Sequence, residues 1–204
     1  MSIRRILGIF ALAAVFSCTG GPQNSGVSFD DVVASRRSVR SFDASKSISE
    51  AEVRTLIATA QEAPSWTNSQ PSRYYVALSE EKTDAVREAI GERNRKSTEG
   101  AQVFILSTFV KGLSGFRKSG EPVDEVGNGW GAYDNGLSNA FLVLKAREMG
   151  FDTLIMGGRD ADDLRSVFGV PEGETIMAVI ALGYRAADPQ RPARKPLDEI
   201  VKFF

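Results

Sequence analysis

Eight consecutive residues, Val103 to Val110 (VFILSTFV), form a nearly continuous apolar run of strand length. A strand that is apolar on both faces has to be covered on both faces, so the chain must supply a sheet with a layer on either side. Helices are legible as those layers. Ser49-Glu50-Ala51-Glu52 is a capping box, and Val53, Leu56, Ile57 and Ala60 follow at helical spacing until Pro64. Ser28 and Asp31 open a short helix over about 29–36, the stretch 80–90 carries Val86, Ala89 and Ile90 on one side, and Asp160 caps a helix through Phe168. Further strands are read at 73–79, 151–156 and 175–184. The expected fold is α/β, or α+β in stricter usage, with a sheet covered by helices on both faces. At 204 residues the chain has material for one such domain.

Two segments do not close on this plan by themselves. The stretch 132–149 is helical but apolar on two sides, with Tyr133, Leu137, Ala140, Phe141 and Leu144 on one and Leu142 and Val143 on the other. Two apolar faces call for two partners, the chain's own sheet and a second subunit, and Gly136, Ser138 and Ala140 allow close approach. The last twenty residues hold Pro189, Pro192 and Pro196 and no helical period, which reads as an extended arm lying on something else. The glycine-rich stretch 111–130 reads as a long loop or flap.

Composition excludes a good deal of chemistry. The chain has no histidine, so Ser-His-Asp and Cys-His units and HExxH zinc sites are out of reach. Its one cysteine, Cys18, allows no intrachain disulfide and no multi-cysteine metal site. A net charge of -1 gives no reason to expect nucleic acid as a partner. What remains is chemistry by carboxylates, Arg, Lys, hydroxyls, backbone amides or a borrowed cofactor, and no metal site is expected.

The beginning of the chain has the three-part layout of a bacterial export signal: Arg4 and Arg5, an apolar run over 6–16, then small residues. The run is too short for a permanent membrane span. Val15-Phe16-Ser17 before Cys18 resembles a lipoprotein signal, in which Cys18 becomes the lipidated first residue. Residues 1–17 are therefore expected to be a signal peptide, 18–26 a flexible tether rich in Gly, Ser, Asn and Pro, and 27–204 the folded domain. On this reading the protein sits in the cell envelope, lipid-anchored outside the cytoplasmic membrane and touching the membrane only through its anchor. The alternative is an incidental cysteine and a cytoplasmic protein.

Three segments carry candidate chemistry. Arg36, Arg37, Ser38 and Arg40 gather three guanidinium groups and a hydroxyl, a set suited to a phosphate, although taken alone the segment reads more simply as a solvated surface cluster. Ala63-Pro64-Ser65-Trp66-Thr67-Asn68-Ser69-Gln70-Pro71 offers amides and hydroxyls on a proline-restricted backbone, fit for the rim of a heterocycle or for a well-made turn. Trp66 could stack on a ligand ring or fill a core gap. Gly157 and Gly158 end a strand where backbone can approach a ligand closely, but no G-x-G-x-x-G is present, so a Rossmann site is not supported.

Taken in order, the RRSxR cluster, the APSxxNSQP loop, a small-residue helix, a strand ending in GG and the terminal ARKPLDEIV arm resemble the nitroreductase family of flavin enzymes over about residues 28–202. The resemblance implies a homodimer binding one FMN at each of two shared sites. Arg36, Arg37, Ser38 and Arg40 would hold the FMN phosphate and ribityl chain, and Arg194 would close over the phosphate. Pro64, Ser65, Trp66 and Asn68 would line the isoalloxazine from the other subunit. Gly157 and Gly158 would lie beside the flavin, where a backbone N–H reaches N5. No catalytic side chain is implied, since the flavin supplies the redox chemistry. The position of Trp66 is more often small in the family, and APSW-x-NSQ is similar to a smaller subgroup. Ser72 stands where a tryptophan is usual.

The activity implied is a ping-pong reduction through flavin N5, in which a reductant, NAD(P)H by resemblance, reduces FMN and a nitroaromatic, quinone or similar electron-poor acceptor then takes the electrons. NAD(P)H is a cytoplasmic currency, so an exported enzyme would need another donor. The rival reading is a non-catalytic flavin-binding lipoprotein serving storage or sensing.

Overall fold

The computed structural model describes residues 26–204. The leader read at 1–17, Cys18 and the tether up to residue 25 lie outside the described residues. The strands are β1 (Ser72–Ala77), β2 (Val103–Val110), β3 (Asp152–Met156) and β4 (Glu174–Gly183). They form one sheet in the order β1-β2-β4-β3, antiparallel at every pairing, so the stricter α+β usage applies. The helices are α1 (Phe29–Ser35), α2 (Glu50–Gln61), α3 (Glu80–Ala89), α4 (Gly91–Ser97), α5 (Gly129–Glu148) and α6 (Ala161–Phe168).

Helices cover both faces of the sheet. Successive side chains of β2 alternate between two cores: Phe104 and Leu106 pack with Val86 and Ala89 of α3 and Leu164 of α6, while Val103 and Ile105 pack with Val53 and Leu56 of α2 and Leu142 and Ala146 of α5. Each fully buried Val, Leu, Ile or Phe among them contributes about 1.5–3 kcal/mol. The two hydroxyls within the apolar run are satisfied where the register with β4 shifts. Ser107 Oγ lies 3.0 Å from both Asn135 Oδ1 and Asn139 Oδ1, either of which can accept its proton, and Thr108 Oγ1 donates to Glu174. At the start of α2, Ser49 Oγ accepts from the Glu52 N–H and Glu52 accepts from the Ser49 N–H, the reciprocal box its spacing predicts.

Helix α4 is absent from the sequence reading. GERNRKS has no apolar period, and the turn from α3 into it is made by Gly91 at φ +75°. The α5 pattern is also resolved differently from its hydropathy. Its inward face is polar at the start, with Asp134, Asn135, Ser138 and Asn139 buried before Leu142, Val143 and Ala146. The other side leaves Tyr133 and Phe141 exposed. The stretch after β2 is a closed loop rather than a loose flap: Phe116 bridges Pro122, the Val123 N–H donates to the Gly115 carbonyl, and Trp130 Nε1 donates to Asp124. The terminal arm leaves Leu197, Ile200, Phe203 and Phe204 exposed. No helix among the described residues is long and apolar enough to cross a membrane.

Candidate functional site

After α1 the chain runs beside β3. Ser38 bridges Thr153, the Val39 N–H donates to the Thr153 carbonyl at 3.0 Å, and Phe42 bridges Arg185. The anchor beneath this turn is Asp152, whose side chain is 1% exposed and which accepts from Arg185 at 2.6 and 2.8 Å. Arg185 also donates to the Ser35 carbonyl, and Arg147 donates to the Ser35 hydroxyl and to Asp152. Hydrogen bonds to Asp152 raise the Arg185 pKa, against the opposing effect of its burial, and Asp188 adds to the rise.

On this base Arg36, Arg37, Ser38, Arg40 and Arg194 line one cavity of about 270 Å³, closed by Pro189 and Pro192. None of these four arginines has a carboxylate partner among the described residues. Arg37 is held below the ordinary guanidinium range, by desolvation first and then by Arg191, Arg36, Arg185 and Arg194. Positive charge gathered without a salt-bridged carboxylate favours an anion there.

Arg40 also lines a larger cavity of about 740 Å³ whose floor is the end of β3 with Gly157, Gly158 and Arg159. Gly157 lies four residues beyond Thr153, roughly 13 Å along the strand at about 3.3 Å per residue. Neither glycine has a positive φ, and a Cβ built on Gly157 meets nothing within 4 Å. The chain's own backbone and packing therefore do not require glycine at 157. The backbone N–H groups of Gly157, Gly158 and Arg159 donate to no acceptor among the described residues. An exposed edge of donors beside open space suits a ligand that presents acceptors.

Pro64 and Ser65 line a third cavity of about 360 Å³, together with Tyr74, Asp134 and Ser138, and it shares no lining residue with the arginine cavity. Trp66 and Asn68 line neither of these cavities. Within one chain the Pro64, Ser65, Trp66 and Asn68 group is thus not brought to the arginines. Trp66 is half-buried and packs on Trp130 with ring centroids 4.7 Å apart. The loop is strained, with Thr67, Asn68 and Gln70 at φ of 45°, 58° and 48°. It is held by Asp134, which accepts from the Trp66 N–H and the Ser114 hydroxyl, by a bond between the Ser69 and Ser114 hydroxyls, and by Ser65 Oγ accepting from the Gln70 N–H.

Sequence reasoning missed Asp134, Ser114, Trp130, Asp152 and Arg185. The one signal that could have found Asp134 is a carboxylate at the inward-facing period of an otherwise packed helix. Among the described residues no cluster of acidic or cysteine side chains could hold a metal.

The fold is thus a helix-covered antiparallel sheet with two neighbouring cavities that share Arg40, one lined by guanidiniums without a salt-bridge partner and one by backbone donors at the end of β3. The chain belongs to the nitroreductase family, whose model matches residues 33–184. It is similar to the NADH dehydrogenase of Thermus thermophilus, 25% identical over 81% of this chain and 91% of that one. A nitroreductase family protein from Streptococcus pneumoniae TIGR4 has the same fold, with a TM-score of 0.76, 23% identity and coverage of 87% of this chain and 100% of that one. So does a candidate nitroreductase from Exiguobacterium sibiricum 255-15 solved in complex with FMN, with a TM-score of 0.77, 22% identity and coverage of 90% of this chain and 100% of that one.

Proposed function

We propose that this chain is an FMN-dependent oxidoreductase of nitroreductase type that reduces nitroaromatics, quinones or similar electron-poor acceptors and works as a homodimer. The single observation that carries the reading is that Arg40 lines two cavities at once, one with Arg36, Arg37 and Arg194 and one with the free backbone donors at the end of β3. The residues present fit FMN at both ends. Arg36, Arg37, Arg40 and Arg194 offer paired donors for a phosphate monoester, and Ser38 adds a hydroxyl. The space over Gly157, which a Cβ would enter freely, admits a flat ring against the backbone.

Bound FMN supplies the redox chemistry, taking electrons from a reductant such as NAD(P)H and passing them to the acceptor. The chain's own part is to hold and orient. Its guanidiniums neutralise the phosphate, and the preorganised N–H groups at the end of β3 act on developing charge without having to reorganise. No side chain is asked to act as nucleophile or proton donor. Assembly as a dimer is supported by the apolar side chains left uncovered on α5 and the arm, Tyr133, Phe141, Leu197, Ile200, Phe203 and Phe204. It is supported too by the separation, within one chain, of the Pro64, Ser65, Trp66 and Asn68 loop from the arginines.

The test is an absorption spectrum of the purified domain from residue 27 onward. A flavin spectrum that a nicotinamide or another reductant bleaches, and that an added quinone or nitroaromatic restores, is expected. A flavin spectrum that cannot be bleached and restored would favour a storage or sensing role, and a protein that stays colourless after incubation with FMN would overturn the assignment. The proposal also carries the anchor reading at Cys18, for which Cys18→Ser should leave the protein unprocessed or free of the membrane. Identical fractionation of variant and parent would end that part of it.

A further inference from the structure

Two adjacent glycines are the most freely rotating dipeptide a chain can offer, and donors contribute to a site in proportion to how firmly they are aimed. At the end of β3 the aiming is done by side chains. The Gly157 carbonyl accepts from Arg159 Nη1 at 2.8 Å, and Arg159 Nη2 is tied to the Ile176 carbonyl on β4. The Gly158 carbonyl accepts from Asn94 Nδ2 at 2.7 Å, across 64 residues of sequence. In a planar trans peptide the N–H lies opposite the carbonyl, so the bond from Asn94 sets the direction of the Arg159 N–H, and the bond from Arg159 sets that of the Gly158 N–H. Both N–H groups are free of acceptors among the described residues.

Asn94 reaches this position because Gly91, at φ +75°, turns the chain out of α3 so that α4 forms a wall of the same cavity. Apart from this bond, α4 is a surface helix whose side-chain ties run within itself and to α3, as in Lys96 with Glu92 and Arg95 with Glu88. We propose that Asn94 is a positioning residue: by holding the Gly158 carbonyl it orients the exposed donor edge toward the isoalloxazine, and it tunes the flavin without touching substrate. This rests on the reading of the cavity as an FMN site.

The experiment uses FMN-loaded protein and compares the parent with Asn94→Ala, Asn94→Asp and Lys96→Ala, the last a control for loosening α4. Four quantities are read: the visible spectrum of bound FMN, its dissociation constant, the rate of its reduction by NADH or dithionite, and the unfolding temperature of the flavin-free protein. For both Asn94 variants, a shifted flavin band and an about ten-fold slower reduction are expected, with the dissociation constant changed less than about three-fold because the phosphate end is intact. Unfolding of the flavin-free protein should match the parent, and Lys96→Ala should match it throughout.

Asn94 variants whose spectrum and reduction rate equal the parent's would overturn the proposal while leaving the FMN assignment standing. So would a loss of flavin-free stability in proportion to the loss of rate, since that marks a merely structural bond. A parent that takes up no FMN would overturn both.

Discussion

The backbone N–H of Trp66 donates to Oδ2 of Asp134 at 3.0 Å, joining a strained loop to a buried carboxylate 68 residues away. The same oxygen accepts from the Ser114 hydroxyl at 2.7 Å. One side chain of α5 therefore fixes both the loop that follows α2 and the closed loop that follows β2.

Removing that carboxylate leaves two donors unpaired. Asp134→Ala should destabilise the protein by about 2–3 kcal/mol, more than Asp134→Asn, which keeps an acceptor oxygen. The Trp66 and Trp130 rings, whose contact depends on the loop, should report the change as altered tryptophan fluorescence in the folded state. Denaturant unfolding followed by fluorescence measures both. Equal stability of the Ala variant and the parent would show that the network is not what holds the loop.

Gly157 separates a ligand's demands from the fold's. Its φ is ordinary and a Cβ there has open space, so Gly157→Ala should leave stability unchanged or raise it by about 0.4–1 kcal/mol. FMN affinity should fall about ten-fold or more if a ring seats against this backbone. Gly131→Ala is the contrasting case, because its Cβ would lie 2.5 Å from the Phe109 ring and overpacking costs about 1–3 kcal/mol. Thermal unfolding with and without FMN distinguishes the two, and unchanged FMN affinity in Gly157→Ala would remove this backbone from the site.

How much of this was legible in the sequence depended on whether the signal was local. The VFILSTFV run, the Ser49 capping box and the Asp160 cap are local patterns, and each forms where its pattern lies. The arginine site was legible as a cluster, because Arg36, Arg37, Ser38 and Arg40 are neighbours in sequence and line one cavity, which Arg194 joins from the terminal arm. Asp134, Asp152 and Asn94 were not legible. Each is a polar residue whose role comes from a partner far along the chain, and hydropathy assigns such residues to solvent. Helix α4 was missed for the related reason that it buries almost nothing of its own.

The unpaired guanidiniums should make flavin retention depend on ionic strength. Arg36→Ala combined with Arg40→Ala removes two positive charges from the phosphate end. It should weaken FMN binding strongly at low salt and much less at high salt, where screening already reduces the parent's advantage over distances near 10 Å. Fluorescence titration of the flavin-free protein at two salt concentrations checks this. An equal loss at both would mean that the arginines act through packing rather than charge.

Alkaline stability is expected to depend on Tyr74. Burial pushes its phenol up to about 12, with the Ser138 hydrogen bond acting weakly in the other direction. The hydroxyl hydrogen lies within reach of Ser138 Oγ at 2.9 Å and Asn139 Oδ1 at 3.1 Å. An unfolded tyrosine loses its proton near pH 10, so between about pH 10 and 12 the unfolded chain is deprotonated while the folded protein still holds the proton. The contribution from Tyr74 is therefore complete below about pH 10 and is lost as pH rises toward 12. Tyr74→Phe should be less stable than the parent by about 1 kcal/mol at neutral pH, through the lost hydrogen bond. That gap should close as pH rises from 10 to 12, because the variant has no proton to lose there. Tyr75 is also shifted upward, by burial and by Glu174, so part of the alkaline decline survives in the variant. Urea unfolding of both proteins at several pH values decides the point. Two stability curves that stay parallel up to pH 12 would mean that this hydroxyl is open to water in the folded state.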